Sequence, residues 1–268
     1  MLKISKDLRK KVISIIQKNK RGHIGPAFSL IEILWSIYNT DFYFNSHSKF
    51  FHLRDRVILS KGHGCLALYS VLNEKGILPD DALASFCEFE SILGGHPERR
   101  IEYGIEASTG SLGHGLSLGV GIAKSHQIKK NVDSKVFVIL GDGELNEGSV
   151  WESAMSASKH SLKNLILLID YNKMQAYGDS QEVMKLDPLD EKWKSFGFDI
   201  HEVDGHSIKE LQSTIKKVRE KKNPCPTVII CHTTKGYGVD FMHNNPVWHH
   251  KSNITEDEFK KIDSTLSK

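Results

Sequence analysis

Three observations in this sequence predict a doubly wound α/β fold, a mostly parallel sheet with helices on both faces. Short runs of consecutive aliphatic and β-branched residues recur at 136–140, 165–169 and 227–231. Such runs are the pattern of parallel strands buried on both sides. Stretches with apolar residues at helical spacing alternate with them, and capping signatures mark where several of those helices begin. Strand–helix alternation of this kind builds a parallel sheet through helical crossovers.

Taken in order, Leu8, Val12, Ile15 and Ile16 lie at helical spacing between lysines and predict a first helix over 2–19. A loop rich in Gly and His follows, then a second apolar helix around 30–38. The three strands come next, with a helix expected to begin near Gly148 between the first two. Ser207 and Glu210 form a capping box in front of Ile208, Leu211, Ile215 and Val218, the buried stripe of a helix. Thr255 and Glu258 open a final helix in the same way. No repeat, low-complexity tract or linker divides residues 1–268, so one domain is expected.

Composition narrows the function classes. A formal net charge of +3 over 268 residues is too small and too dispersed for a nucleic-acid partner. The run Lys216, Lys217, Lys221 and Lys222 reads as the solvated face of a helix. There is no 18-residue apolar stretch and no secretory leader pattern, so no membrane association and a cytoplasmic location are expected. Four cysteines (Cys65, Cys87, Cys225, Cys231) show neither Cys-x-x-Cys pairing nor zinc-type spacing. They read as small buried hydrophobes.

Open α/β sheets bind ligands beyond the carboxyl ends of their strands. Two strand ends carry unusual polar residues here, Gly141-Asp142-Gly143 and Asp170-Tyr171-Asn172. If those strands are parallel neighbours, the Asp142 carboxylate and the Asn172 amide oxygen emerge side by side. Oxygen ligands of that hardness suit Mg²⁺ or Ca²⁺ with a phosphate-bearing ligand completing the shell. Gly143 would let backbone approach a diphosphate, and the helix near Gly148 would direct its N-terminus at the same anion. Taken alone, Gly-Asp-Gly is also an ordinary turn. The second polar strand end, one βα unit later, favours the ligand site.

Histidines follow glycine in four loops, at His23, His63, His96 and His114, and His249 and His250 lie near the end. Such loops can bring imidazoles to hydroxyls and phosphates, where acid–base exchange is useful. Their spacing does not fit zinc. Gly113-x-Gly115 with Gly119 and Gly121 does not match Gly-x-Gly-x-x-Gly and has no strand before it, so a nicotinamide site is not expected.

The run Gly-Asp-Gly-Glu-Leu-Asn-Glu-Gly-Ser-Val-Trp-Glu at 141–152, followed by Asn-Leu-Ile-Leu-Leu-Ile-Asp-Tyr-Asn at 164–172, resembles the thiamine-diphosphate motif of transketolases. The resemblance extends from Gly22-His23 to Trp248-His249 in the family's order. It implies that Asp142 and Asn172 ligate the metal, with the Met174 carbonyl as a third ligand. Mg²⁺ is the expected ion, Ca²⁺ or Mn²⁺ the alternatives. It further implies that His63, Gly143 and Lys235 contact the diphosphate and that Gly110, Ser111 and Leu112 lie along the thiamine. His23, His96 and His249 match positions that touch sugar hydroxyls or manage their protons. Glu147 and Glu152 match acidic residues near a subunit interface; stabilisation of the helix N-terminus is their simpler reading.

The sequence departs from the family at three places. Ile24-Gly25-Pro26 follows His23, where the family often has Pro directly after this His and a small or hydroxyl residue at position 26, so no side-chain contact is assigned to Pro26. His250 stands where Gly is usual, and His114 where Gln is common. The chain also resembles only the first domain of the family. The second, which holds the aminopyrimidine and an activating glutamate, and a third would belong to a partner. The resemblance therefore implies the N-terminal subunit of a two-chain transketolase, in an α₂β₂ assembly moving a two-carbon ketol unit from a ketose phosphate to an aldose. The other readings are a related enzyme of the deoxyxylulose-phosphate-synthase type, a transketolase for a modified sugar, and a non-catalytic scaffolding subunit.

Overall fold

A computed structural model describes residues 1–44, 53–131, 133–175, 178–221, 224–249, 251 and 253–267. His250 and Lys222, both named above, lie outside these described residues. Five strands, β1 (Arg56–Leu59), β2 (Val136–Gly141), β3 (Leu165–Tyr171), β4 (Asp199–Asp204) and β5 (Thr227–His232), form one sheet in the order β1-β2-β3-β5-β4. Every pairing is parallel.

Ten α-helices connect and cover the strands among the described residues: α1 (Lys3–Asn19), α2 (Ile24–Tyr38), α3 (Cys65–Glu74), α4 (Asp80–Ala84), α5 (His114–Ile128), α6 (Gly148–Lys159), α7 (Ser180–Val183), α8 (Leu189–Ser195), α9 (Ile208–Glu220) and α10 (Glu256–Ser267). Alternation along the strands divides the core in two. Phe137, Ile139, Ile166, Leu168 and Ile229 pack with α1, α2, α3, α9 and α10. Val138, Leu140, Leu165, Leu167 and Ile230 pack with α5, α6 and α8. Strands β2, β3 and β5 thus bury both sides, as their apolar runs require.

The three predicted strands are present. Two more, β1 and β4, carry no such signal. β1 has four residues and follows Arg54-Asp55. β4 reads Asp-Ile-His-Glu-Val-Asp and lies at the sheet edge, where only Val203 is buried. Helix α2 begins at Ile24, six positions before the expected start near 30. Gly25 and Pro26 obscure that start in the sequence, yet a first-turn Pro is tolerated because its missing N–H has no intrahelical partner to lose.

Of the two capping boxes, one is complete. Thr255 and Glu258 exchange bonds reciprocally, at 3.3 Å from Glu258 N to Thr255 Oγ1 and 3.0 Å from Thr255 N to Glu258 Oε2. Ser207 Oγ accepts from Glu210 N, but Glu210 Oε2 accepts from Asp204 N and leaves the Ser207 N–H to a turn with Asp204 O. None of the four cysteines forms a disulfide. Among the described residues no helix is long and apolar enough to cross a membrane.

Buried charges tie the N-terminal helices to the loop after β5. Arg9 of α1 and Glu32 of α2 form a two-bond pair at 2.6 and 2.9 Å, both fully buried. Glu32 also lies 3.0 Å from His206 Nδ1, while His206 Nε2 accepts from Thr234 N. Arg9 Nε donates to Tyr237 O. The segment between Thr234 and Tyr237 is thereby held from beneath on both sides of Lys235.

Candidate functional site

Residues at the carboxyl ends of β1, β2, β3 and β5 surround one crevice. Strands β2 and β3 are direct neighbours with Gly141 opposite Asp170, so Asp142 and Asn172 leave adjoining strands, as the sequence reading required. Both side chains are buried. Asp142 accepts from Gly143 N at 2.8 Å and from Ser180 Oγ at 3.3 Å. Asn172 Oδ1 accepts from Met174 N at 3.0 Å, which pins the loop carrying the Met174 carbonyl. That carbonyl accepts from Lys235 Nζ at 3.1 Å. Burial, then the nearby Asp170 carboxylate, pushes Asp142 up to about 6.

Three of the four Gly-His loops converge on this crevice. The His23 ring lies 6.0 Å from His63, 6.2 Å from His96 and 6.2 Å from His249, and His63 stacks on His249 at 5.5 Å. The fourth loop does not join them. His114 is the first residue of α5, exposed, with Nδ1 turned back to Leu112 O. His23 caps α2 and has Nδ1 3.2 Å from His249 O. His63 follows β1 in a 3₁₀ turn, Gly62–Gly64. A Cβ on Gly62 would stand 2.8 Å from the Thr109 backbone, so only glycine lets the two loops meet.

The electrostatics select for an anion. Burial, followed by Lys61, His249, His23 and Lys235, holds His63 well below its usual range, so it is neutral near pH 7. Lys235 is buried, with Nζ 2.5 Å from His249 Nδ1; burial, then Lys61, brings it down to about 8. Cations and the neutral His63 imidazole thus face a crevice whose floor offers carboxylate, amide and carbonyl oxygens. Among the described residues no group of three or more His, Cys, Asp or Glu side chains could hold a metal. A cation here would depend on Asp142 with neutral oxygens, a donor set that fits a hard divalent ion carrying phosphate oxygens. Gly110 lies against the His96 ring, Ser111 lines an open hollow with Gly110 and His114, and the half-buried Leu112 faces His114 Nδ1 with its carbonyl.

A family model described as the thiamine-diphosphate-binding domain of transketolase matches residues 2–267. The chain belongs to this transketolase family. An apulose-4-phosphate transketolase subunit of Actinobacillus succinogenes is 39% identical over 93% of this chain and 90% of its own length. The 6-deoxy-6-sulfo-D-fructose transketolase subunit SqwG of a Clostridium species is 36% identical over 97% and 94%. The crystal structure of transketolase from Campylobacter jejuni superposes with a TM-score of 0.87 at 27% identity, over 99% of this chain. This chain spans 42% of the Campylobacter chain.

Within the transketolase fold, two buried carboxylates escaped the sequence reading. Glu144 accepts from Ser60 Oγ, from Gly113 N at 2.8 Å and from Gly141 N at 3.2 Å. It therefore joins the ends of β1 and β2 to the start of α5. Gly113, at φ +84°, is the N-cap there, and a Cβ on it would meet Ser149 Oγ at 2.5 Å. Asp170 accepts from Lys61 Nζ at 2.5 Å, from Ser29 Oγ at 2.6 Å and from Thr233 Oγ1. Both stand inside the two motif runs; only their burial marks them as braces. Glu147 is the N-cap of α6 but makes no side-chain capping bond, and both it and Glu152 are exposed.

Proposed function

We propose that this chain, acting as one diphosphate-side domain over residues 1–268, is the cofactor-anchoring subunit of a two-chain cytoplasmic transketolase. Its partner would be a C-terminal subunit carrying the pyrimidine-side and C-terminal domains, in an α₂β₂ assembly that moves a two-carbon ketol group from a ketose phosphate to an aldose. The observation that carries the reading is the meeting of His23, His63, His96, His249 and Lys235 above the Asp142 and Asn172 strand ends. Near full-length matches to proteins that are themselves named as transketolase subunits support the division into two chains.

In this reading Asp142, the Asn172 amide oxygen and the Met174 carbonyl hold Mg²⁺, with Ca²⁺ or Mn²⁺ as substitutes. His63, the Gly143 backbone and Lys235 hold the diphosphate, while Gly110, Ser111 and Leu112 lie along the thiamine. Thiamine diphosphate, when bound, supplies the reactive carbon and the electron sink that ketol transfer needs.

The remaining chemistry belongs to the imidazoles. His249 O can only accept, so the contact with it places the hydrogen of a neutral His23 on Nδ1 and a lone pair on Nε2. Lys235 Nζ donates to His249 Nδ1, so a neutral His249 carries its hydrogen on Nε2. One ring is set to take a hydroxyl proton and its neighbour to give one, the pairing that a polyhydroxylated substrate uses.

Mixing this chain with its purified C-terminal partner, thiamine diphosphate and Mg²⁺ tests the proposal against a panel of ketose-phosphate donors and aldose acceptors. Ketol transfer is expected from the mixture and none from either chain alone. Transfer by this chain alone at the rate of the mixture would refute the split site.

A further inference from the structure

Along α5, at the opposite end of the sheet from Asp142, lies a second cavity of about 730 Å³. Arg56 marks its place: it is the first residue of β1 and pairs with Val136, the first of β2, whereas Asp142 follows the last residue of β2. The lining contains Arg56, Arg99 and Lys129 against a single carboxylate, Glu106. Glu106 is already taken. Arg54 Nη2 grips both of its oxygens at 2.6 and 2.7 Å, and Arg56 Nη1 donates to one at 2.8 Å. The cavity is left with an excess of positive charge that no described side chain answers.

Two polar atoms in the same wall are also unmet. His126 is 5% exposed, and its Nδ1 has no hydrogen-bond partner among the described residues. The Nε of Arg56 is buried and equally without one. An unsatisfied buried polar group is costly, so two on one lining call for a ligand that meets both. Burial, then Arg56, lowers His126 to about 4, so its ring is neutral near pH 7. A neutral ring nitrogen either donates or accepts according to tautomer.

We propose that this cavity is a binding site for a phosphate monoester or free phosphate, separate from the cofactor crevice. The phosphoryl group sits among Arg56, Arg99 and Lys129. A phosphate near pH 7 offers oxyanions to the Arg56 Nε–H and, in its monoprotonated form, an O–H as well. It therefore satisfies His126 Nδ1 in either tautomer, which a carboxylate or sulfate does not. Leu118 and Ile122 on α5 give the body of an ester an apolar surface.

The full-length chain labelled with ¹⁵N at His and Arg and with ¹³C at the Ile methyls, titrated with inorganic phosphate at constant ionic strength, tests this by NMR. His126→Gln identifies the ring signals. Saturable shifts of the His126 ring and the Arg56 Nε are expected. The exposed-residue double variant Arg99→Ala/Lys129→Ala should weaken binding roughly tenfold, since two exposed ionic contacts together supply about one decade. Repeating the titration with glycerol phosphate separates the sources: tighter binding than phosphate, with shifts of Ile122 methyl signals, identifies an ester site, and equal binding a free-phosphate site. Shifts confined to His63 and His249, or unchanged affinity in the double variant, would overturn the proposal. So would His126 and Arg56 signals that move only when the C-terminal partner is added.

Discussion

Replacing Asp142 by alanine should lower the affinity of the reconstituted complex for thiamine diphosphate by about two orders of magnitude or more, with little loss of stability. Asp142 supplies the one carboxylate of the proposed cage, the other donors being neutral oxygens, and the grip on a hard divalent ion depends chiefly on ligand charge. A hundredfold loss corresponds to roughly 2.8 kcal/mol, within reach of one buried ion contact. The fold should not suffer equally. Burial and the Asp170 charge push this carboxyl up to about 6, so without a cation the folded protein disfavours its ionised form. Calorimetric titration of the cofactor in Mg²⁺, beside a thermal melt, measures both quantities. Asp142→Ala binding within about threefold of wild type would remove this residue from the ion's shell.

Glu32→Gln should be the most damaging single substitution for stability, at about 3–5 kcal/mol, because it leaves the buried Arg9 guanidinium without its counter-charge. The effect has a defined pH window. Burial alone would raise the Glu32 carboxyl, but Arg9 and His206 overcome it and hold it down to about 2, against 4.5 when exposed. A carboxylate lowered on folding stabilises the native state above its unfolded pKa, and that stabilisation is lost as pH falls through the folded value. Wild type should therefore lose on the order of 3 kcal/mol from this group between about pH 4.5 and 2. The glutamine variant has no such titration, so urea unfolding at several pH values should show the two proteins converging in acid. A gap that stays constant across that window would contradict the assignment. The network also braces the loop of Lys235 through Tyr237 O and Thr234 N, so the variant should bind cofactor more weakly as well.

What the sequence disclosed follows physical rules. Strands β2, β3 and β5 are central, buried on both faces and hence apolar without interruption. β4 is an edge strand whose polar residues face solvent, and β1 is too short for periodicity to register. The site was legible where chemistry coincides with a strand end, as at Asp142 and Asn172. It was less legible where the fold joins distant loops. Nothing in the spacing of His23, His63, His96 and His249 says that these four rings meet; Gly-His recurrence and the family resemblance supplied that expectation. The same recurrence also marked His114, which the start of α5 turns outward. Asp170 and Glu144 show their bracing role only once Lys61, Ser29, Ser60 and Gly113 are brought to them.

The dependence of cofactor binding on a divalent ion tests the central claim most directly. Thiamine diphosphate titrated into the reconstituted complex should release heat and saturate in Mg²⁺, and show no saturable binding after EDTA treatment. Equal affinity with and without the chelator would mean that the oxygens of Asp142, Asn172 and Met174 do not hold the diphosphate through an ion.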